Sequence, residues 1–505
     1  MNNDNSALYK RLREEYTEFV YESYAYSVAT GNCTQSTQDA LEVSFHFAIP
    51  GLARFCPSWT FSPANLRQID VNTERLDELV FSLGMVELVS YWKTCCSPNV
   101  RIEPRTLTKP QQAWWKKLYR KGLGEFFYRN GITPSDDFIN FTPTPIIADS
   151  EPQSRESYAS PKGIAGQARN DVVSRFISGE DIKNNATLLS PLSPLSPLSP
   201  LSSLLCKAPT PAALSPLKSA DTSGTYSSYQ RVLIPVGGGK DSAVTLELLR
   251  GRAERYSFVI NPRKATDDTV AVSGIPAENI IVARRTLDKS MLALNEQGYL
   301  NGHTPFSAIV AFSSVIAAYI NGIDYVALSN ESSANESTVS GSDVNHQYSK
   351  SFEFETDFKQ YEREYIGSGV EYFSLLRPLS ELQIAQIFAQ HKEYHPIFRS
   401  CNAASKQDQW CGSCPKCLFV YIMLAPFLDE SELVQIFSKN LLEDMRLKDT
   451  LDQLVGFTPE KPFECVGSRN EVRTALDMAA KKYKHLPPLL AYYLETRNPT
   501  GSAGF

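Results

Sequence analysis

Residues 231–242, Arg-Val-Leu-Ile-Pro-Val-Gly-Gly-Gly-Lys-Asp-Ser, constrain this chain more than any other stretch. Val232 to Val236 is a short apolar run that reads as a buried strand. Gly237, Gly238 and Gly239 follow, then Lys240, Asp241 and Ser242. Ala243 to Arg250 reads as a helix with Leu246, Leu248 and Leu249 turned inward. A strand that turns on glycines into a helix N-terminus makes an anion cradle. Glycine lets backbone N–H groups approach a phosphate, and the helix dipole favours its charge. The stretch is not the common P-loop, because Asp241 stands where that pattern needs Ser or Thr after Gly-Lys. Contiguous glycines also exclude the dinucleotide fingerprint. A plain glycine turn between strand and helix is the alternative.

The surrounding residues, 229–430, alternate strand and helix signals. Tyr256 to Ile260, Asn279 to Val282 and Tyr325 to Leu328 read as short buried strands. Pro305 to Ile320 and Leu379 to Gln390 read as helices. Alternation of this kind predicts an α/β fold with a doubly wound parallel sheet, whose ligands bind at the carboxyl ends of the strands. The loop Ser329-Asn330-Glu331-Ser332 would share that rim.

Residues 1–150 read as a separate α+β domain: a strand over Leu41 to Ile49, then amphipathic helices over Asp77 to Lys93 and Gln111 to Arg129. Residues 151–228 are rich in Ser, Pro and Asn, and 189–201 repeat Leu-Ser-Pro. Proline at every third position forbids a helix or a ladder, so a disordered or extended linker is expected there. Residues 431–505 read as a helical C-terminal region broken at Pro462, Pro487 and Pro488.

A net charge of −6 argues against a large nucleic-acid surface. No apolar leader and no run of about 18 apolar residues is present, so no membrane span is expected. Ten cysteines without a leader point to a reducing, cytoplasmic setting with metal-bound or free thiols. Cys401, Cys411, Cys414 and Cys417 follow C-x9-C-x2-C-x2-C, which suits a closed tetrahedral Zn²⁺ site. An iron–sulfur cluster is the rival. The remaining cysteines carry no metal spacing and read as buried packing.

The glycine stretch resembles the pyrophosphatase loop of N-type ATP pyrophosphatases (PP-loop enzymes), Ser-Gly-Gly-x-Asp-Ser, with Gly237 in place of the serine. That resemblance implies ATP and Mg²⁺. Gly237, Gly238, Gly239 and Ser242 would hold pyrophosphate, Lys240 would neutralise developing charge, and Asp241 would help hold the metal. With the cysteine spacing, residues 231–420 are similar to the enzyme that makes 7-cyano-7-deazaguanine.

A wider resemblance spans both expected domains, and the Leu-Ser-Pro linker is this chain's own departure from it. Residues 235–242, Asn301-Gly-His-Thr-Pro-Phe-Ser-Ala, Leu328-Ser-Asn-Glu, Trp410-Cys-Gly-Ser-Cys-Pro-Lys-Cys and Gly122-Leu-Gly-Glu-Phe-Phe-Tyr look like the MurL family of peptidoglycan synthesis. It implies ATP-dependent inversion of the terminal L-Glu of a UDP-N-acetylmuramoyl dipeptide, with release of AMP and pyrophosphate. The expected partner is therefore a small molecule, with no nucleic acid and no membrane.

Further candidates carry two readings each. His303 is an acid/base or a helix-capping loop histidine. Glu331 holds Mg²⁺ or substrate, or is a solvated loop carboxylate. Arg284 and Arg285 follow a strand and clamp diphosphate, or form a surface pair. His346 with Glu353 and Glu355 supplies a second proton site, or Ser351 to Glu355 is an alternating strand with two solvated carboxylates. Glu125 and Tyr128 bind substrate, or belong to a buried helix face. Two competing functions remain at this level: another ATP pyrophosphatase, acting on a nucleobase or sulfurating tRNA, and a non-enzymatic adenine-nucleotide sensor.

Overall fold

The computed structural model describes residues 5–29, 39–63, 73–143 and 230–497. The Leu-Ser-Pro stretch, Cys33 and Cys206 lie outside the described residues. Strands in the first part are β1 (Glu18–Ala29), β2 (Ala40–Ile49), β3 (Ala53–Phe55), β4 (Ser58–Ser62), β5 (Asn99–Ile102) and β6 (Asn140–Pro143). The second part contributes β7 (Arg231–Pro235), β8 (Glu254–Ile260), β9 (Ile280–Thr286), β10 (Tyr325–Leu328) and β11 (Glu371–Ser374).

All of these strands join one mixed, mostly parallel sheet, ordered β11-β10-β7-β8-β9-β4-β2-β1-β5-β6, with β3 on β2. From β9 to β11 every pairing is parallel. The chain leaves β7 towards β8 and β9, then crosses back to β10 and β11 on its other side. Such a reversal opens a crevice between the carboxyl ends of the two strands at the switch, here β7 and β10.

The sheet does not stop at the boundary that the sequence suggests. β4 pairs antiparallel with β9, Phe61 opposite Ala283, and the rings of Phe61 and Phe258 stack 6.5 Å apart across the joint. On the adjoining strand Arg285 reaches the fully buried Glu87 at 2.8 Å. The helix Thr73–Trp92 is not amphipathic as expected: from Leu79 to Trp92 every residue is buried, because it packs inside the core shared by both halves. Its Gly84 lets Tyr21 of β1 approach so closely that an added Cβ would stand 2.0 Å from the hydroxyl oxygen.

Two further expectations need correction. Gln111 to Arg129 is two helices, Lys109–Gly122 and Gly124–Arg129, broken at Leu123. Ser351 to Glu355 is not a strand; Ser351 caps the helix Phe352–Tyr361 through Phe354 N–H. Alternation over five residues also satisfies one turn of a helix with Phe354 and Glu355 inward. Leu246 and Leu249 are fully buried, whereas Leu248 is only partly so.

From residue 431 to 497 the chain is helical, as the sequence reading of that region expects. Helices Pro415–Leu424, Glu430–Phe437, Lys448–Val455, Arg469–Ala480 and Pro488–Arg497 form a second core with Glu381–Gln390 and with Ala243 and Val244 of the loop helix. Among the described residues no helix is long and apolar enough to cross a membrane.

Candidate active site

A cavity of about 650 Å³ opens at the switch point. One wall is the loop between β7 and the helix Lys240–Leu248, with Gly237, Gly239, Asp241 and Ser242. Ser329 and Asn330 after β10 flank it. The opposite side carries His303, His346, Lys350 and Cys465.

The loop wall is held by its neighbours. Gly238 adopts φ +79°, and an added Cβ would stand 3.0 Å from the Ala265 carbonyl carbon, so only glycine fits. Its carbonyl accepts from Arg399 N–H at 2.8 Å. Arg263 donates to the Gly237 carbonyl at 3.3 Å and to the Ser405 carbonyl at 3.1 Å.

Lys240 departs from its expected role. Its side chain is 2% exposed and turns beneath the loop, pairing with Asp241 and with Glu381 at 2.5 Å. Burial opposes its charge, but Asp241 and Glu381 more than compensate and hold its pKa above the usual lysine range. Burial and the neighbouring Asp241 raise Glu381, against the pull of Lys240. Lys240 therefore orients Asp241, whose side chain is 29% exposed at the cavity. The cations lining the cavity itself are Arg263, Lys350, Arg399 and Lys416.

The second wall is assembled on Glu125. The break at Leu123 is flanked by glycines that let two distant segments come close. A Cβ on Gly122 would stand 2.9 Å from Pro305, and one on Gly124 would stand 3.8 Å from the Val344 backbone. His303 and His346 lie within two residues of those contacts. Lys93 donates to Thr304 Oγ1 at 2.8 Å and to the Gly302 carbonyl, fixing the His303 turn. Glu125 Oε2 lies 2.5 Å from His346 Nδ1 and 3.3 Å from His303 Nδ1. The rings are 4.6 Å apart.

The two histidines differ in charge. Burial, then the nearby His346, pushes His303 down to about 4 despite Glu125. For His346 burial acts the same way, but Cys465 and Glu125 outweigh it and hold it up at about 9. Glu125 is lowered in spite of burial, chiefly by His346. His346 Nδ1 hydrogen-bonds Glu125 Oε2, and the same oxygen 3.3 Å from His303 Nδ1 favours N–H at that nitrogen too. Nε2 of neutral His303 is then a lone-pair acceptor, and Nε2 of charged His346 a donor.

Several expected residues are elsewhere. Arg284 and Arg285 lie inside β9 rather than after a strand; Arg284 is exposed and Arg285 is committed to Glu87. Glu355 is buried against Arg377 at 3.0 Å, away from the cavity, and Glu353 pairs with Lys117 and Lys121. Tyr128 donates to Glu460. Glu331 is buried, not solvated, and accepts from Ser333 at 3.3 Å.

The four clustered cysteines converge. Sγ separations are 3.8 Å for Cys401–Cys414, 3.7 Å for Cys411–Cys417 and 3.5 Å for Cys414–Cys417. Disulfide sulfurs would be about 2.05 Å apart. Four thiolates at about 2.3 Å from one tetrahedral ion stand close to the observed spacing. Backbone N–H groups of Ala404, Cys411, Ser413 and Cys414 point at these sulfurs. Cys401 itself lines the cavity.

Comparison with known proteins places the chain. The MurL N-terminal domain model matches residues 10–162 and 204–375, and the MurL C-terminal domain model matches 397–498. The chain belongs to the MurL family. A relative from Xanthomonas oryzae, named UDP-N-acetyl-alpha-D-muramoyl-L-alanyl-L-glutamate epimerase, is 32% identical over 81% of this chain and 76% of its own length. One of the same name from Salinispora tropica is 31% identical over 92% and 85%. The relatives' shared name makes them isomerases. Both MurL domains line the cavity: His303 and His346 come from the first match, Lys416 and Cys465 from the second.

Sequence reasoning missed Arg263, Lys350, Lys416, Glu381 and Cys465. All but Lys416 are isolated in the chain, with no motif around them. The one legible signal was Lys416, which lies inside the cysteine motif.

Proposed function

We propose that this MurL-family chain inverts the terminal L-glutamate of UDP-N-acetylmuramoyl-L-alanyl-L-glutamate, using ATP to activate the glutamate carboxyl. The observation that carries this reading is that an anion-cradling loop at a switch point and an acid–base histidine pair line one cavity. A Cα proton beside an ionised carboxylate is hard to remove, because the resulting carbanion adds a second negative charge next to the first. Adenylation removes one of those charges and supplies an electron sink.

In this reading the sheet is that of a PP-loop ATP pyrophosphatase. Backbone N–H groups of Gly237 to Gly239 and the Ser242 hydroxyl receive the phosphates. Asp241, the loop carboxylate at the cavity, suits Mg²⁺. Arg263, Arg399, Lys350 and Lys416 offset charge that develops as pyrophosphate leaves. His303 Nε2 takes the Cα proton, and His346 returns one to the other face. Glu125 holds both rings in the tautomers this requires.

Zinc in the cysteine cluster is part of the same proposal. The four thiolates leave no open position, so the metal's contribution is structural. It would fix Arg399 to Cys401 against the Gly238 carbonyl.

The test is pyrophosphate release from ATP and Mg²⁺, with and without the dipeptide substrate, beside chiral analysis of the glutamate. Substrate-dependent pyrophosphate together with D-glutamate is expected. Pyrophosphate without inversion would keep the loop chemistry and sink the substrate assignment. ATP binding with no pyrophosphate from any carboxylate would favour the nucleotide-sensor reading.

A further inference from the structure

Among the described residues, Cys465 is the one cavity-lining thiol outside the four-cysteine cluster, and the reaction above leaves it unused. It precedes the helix Arg469–Ala480 and is only half-buried, because it faces the cavity. Its carbonyl accepts from Lys416 Nζ. It shares the cavity lining with His346, Lys350 and Lys416, whose charges act on its thiol, and Glu464 is beside it in the chain. Lys350 also feels the charge of Asp241, which lines the same cavity.

We propose that Cys465 is the nucleophile of the reaction, attacking the adenylated glutamate carboxyl and carrying the acyl group as a thioester while Cα is inverted. This rests on the adenylation reading. The S–C bond forms as the C–O bond to AMP breaks, and AMP leaves with that electron pair. The Cα proton passes to His303 Nε2, and the C–H pair moves into the thioester carbonyl as an enolate. His346 Nε2–H delivers a proton to the opposite face as the pair returns to Cα. Water then attacks the carbonyl, thiolate departs, and the carboxylate is restored with both protons of that water released to solvent. Between turnovers His303 Nε2 gives its proton to solvent and His346 Nε2 takes one from solvent, which restores both rings.

Three features of the site support this order. Burial pushes the Cys465 thiol up, but Lys350 first and His346 next draw it down to about 6, so the thiolate exists at neutral pH without a separate base. The Cα of an acyl group on this sulfur is one bond beyond the carbonyl carbon, which puts it beside His346 and its neighbour His303. Acylation also removes the thiolate charge facing His346 and turns that N–H towards substrate.

The experiment uses full-length protein with ATP, Mg²⁺ and the L,L-dipeptide substrate, acid-quenched during turnover and read by intact mass and peptide mapping. Wild type should show an acyl adduct on the Cys465 peptide that hydroxylamine removes. His303→Ala, stalled before proton transfer, should approach one adduct per chain. Cys465→Ser should keep ATP–pyrophosphate exchange but lose inversion by about 10³-fold or more. Inversion by folded Cys465→Ser or Cys465→Ala within tenfold of wild type overturns the proposal. So does inversion with no adduct in either wild type or His303→Ala. Loss of ATP–pyrophosphate exchange in a folded Cys465 variant also overturns it. Failure of wild type to exchange pyrophosphate would instead remove the adenylation reading itself.

Discussion

The two walls of the cavity are built in opposite ways. The phosphate wall is one continuous stretch, Gly237 to Ser242, whose conformation is dictated by glycine geometry and a helix start. The histidine wall is gathered from Glu125, His303, His346 and Cys465, more than 300 residues apart at the extremes, and exists only when both MurL domains are in place. In the proposed function, local chemistry thus specifies the anion cradle, while tertiary packing specifies the acid–base pair. Substitutions should therefore separate the two activities.

The largest separation is expected from His303→Ala. Cα hydrogen–deuterium exchange should fall by about 10²–10⁴-fold, the range for a lost acid–base group, while ATP–pyrophosphate exchange continues. Full Cα exchange in that variant would remove His303 from the proton step.

Lys240→Met should act on stability before chemistry. It leaves Asp241 and Glu381 without their buried cation, at a cost of about 3–5 kcal/mol, read from denaturant midpoints. A change below 1 kcal/mol would show that the lysine is not bound into the core as described.

Arg263→Ala should lower substrate-dependent pyrophosphate release by about 10²-fold or more, as for loss of a donor to developing charge. The histidine pair should be untouched, so the His346 imidazole resonances should titrate as in wild type. An unchanged release rate would assign the phosphates to other cations.

Gly238→Ala forces an L side chain to φ +79° against Ala265. It should cost about 1–3 kcal/mol and weaken nucleotide binding more than dipeptide binding. Equal weakening of both would mean the two walls are coupled through the loop.

The smallest effect is a graded one with pH. His346 stays charged up to about 9, held there against burial by Cys465 and Glu125. Inversion should decline above that value by about tenfold per pH unit, while pyrophosphate release at saturating substrate declines less steeply. Parallel decline would tie both steps to one group.

This contrast also explains what was readable in the chain. The glycine loop, the cysteine cluster and the β10 rim were legible because each is contiguous or tightly spaced. His303 and His346 could be named as candidates, but Glu125, which joins them, looked more like a core position. Its role depends on Gly122 and Gly124 admitting two remote segments, and spacing carries no record of that. Arg285 and Glu355 misled for the complementary reason. A charged residue bound to a buried partner, Glu87 or Arg377, looks the same in sequence as one waiting for substrate. Cys465 was set aside because spacing finds metal ligands, whereas a nucleophile is marked by neighbours brought in from elsewhere.

The antiparallel seam between β4 and β9 has a consequence during synthesis. Phe61 and Ala283 are register partners although the ribosome makes one long before the other. At about 5–20 residues per second, β4 waits on the order of 10–40 s for its partner. Through that interval the half already made presents Trp59 and Phe61 on an open strand edge, a template for unwanted pairing. The nascent chain is therefore most exposed to aggregation just before residue 286 leaves the exit tunnel. A chaperone that shields strand edges would raise its yield most at that stage.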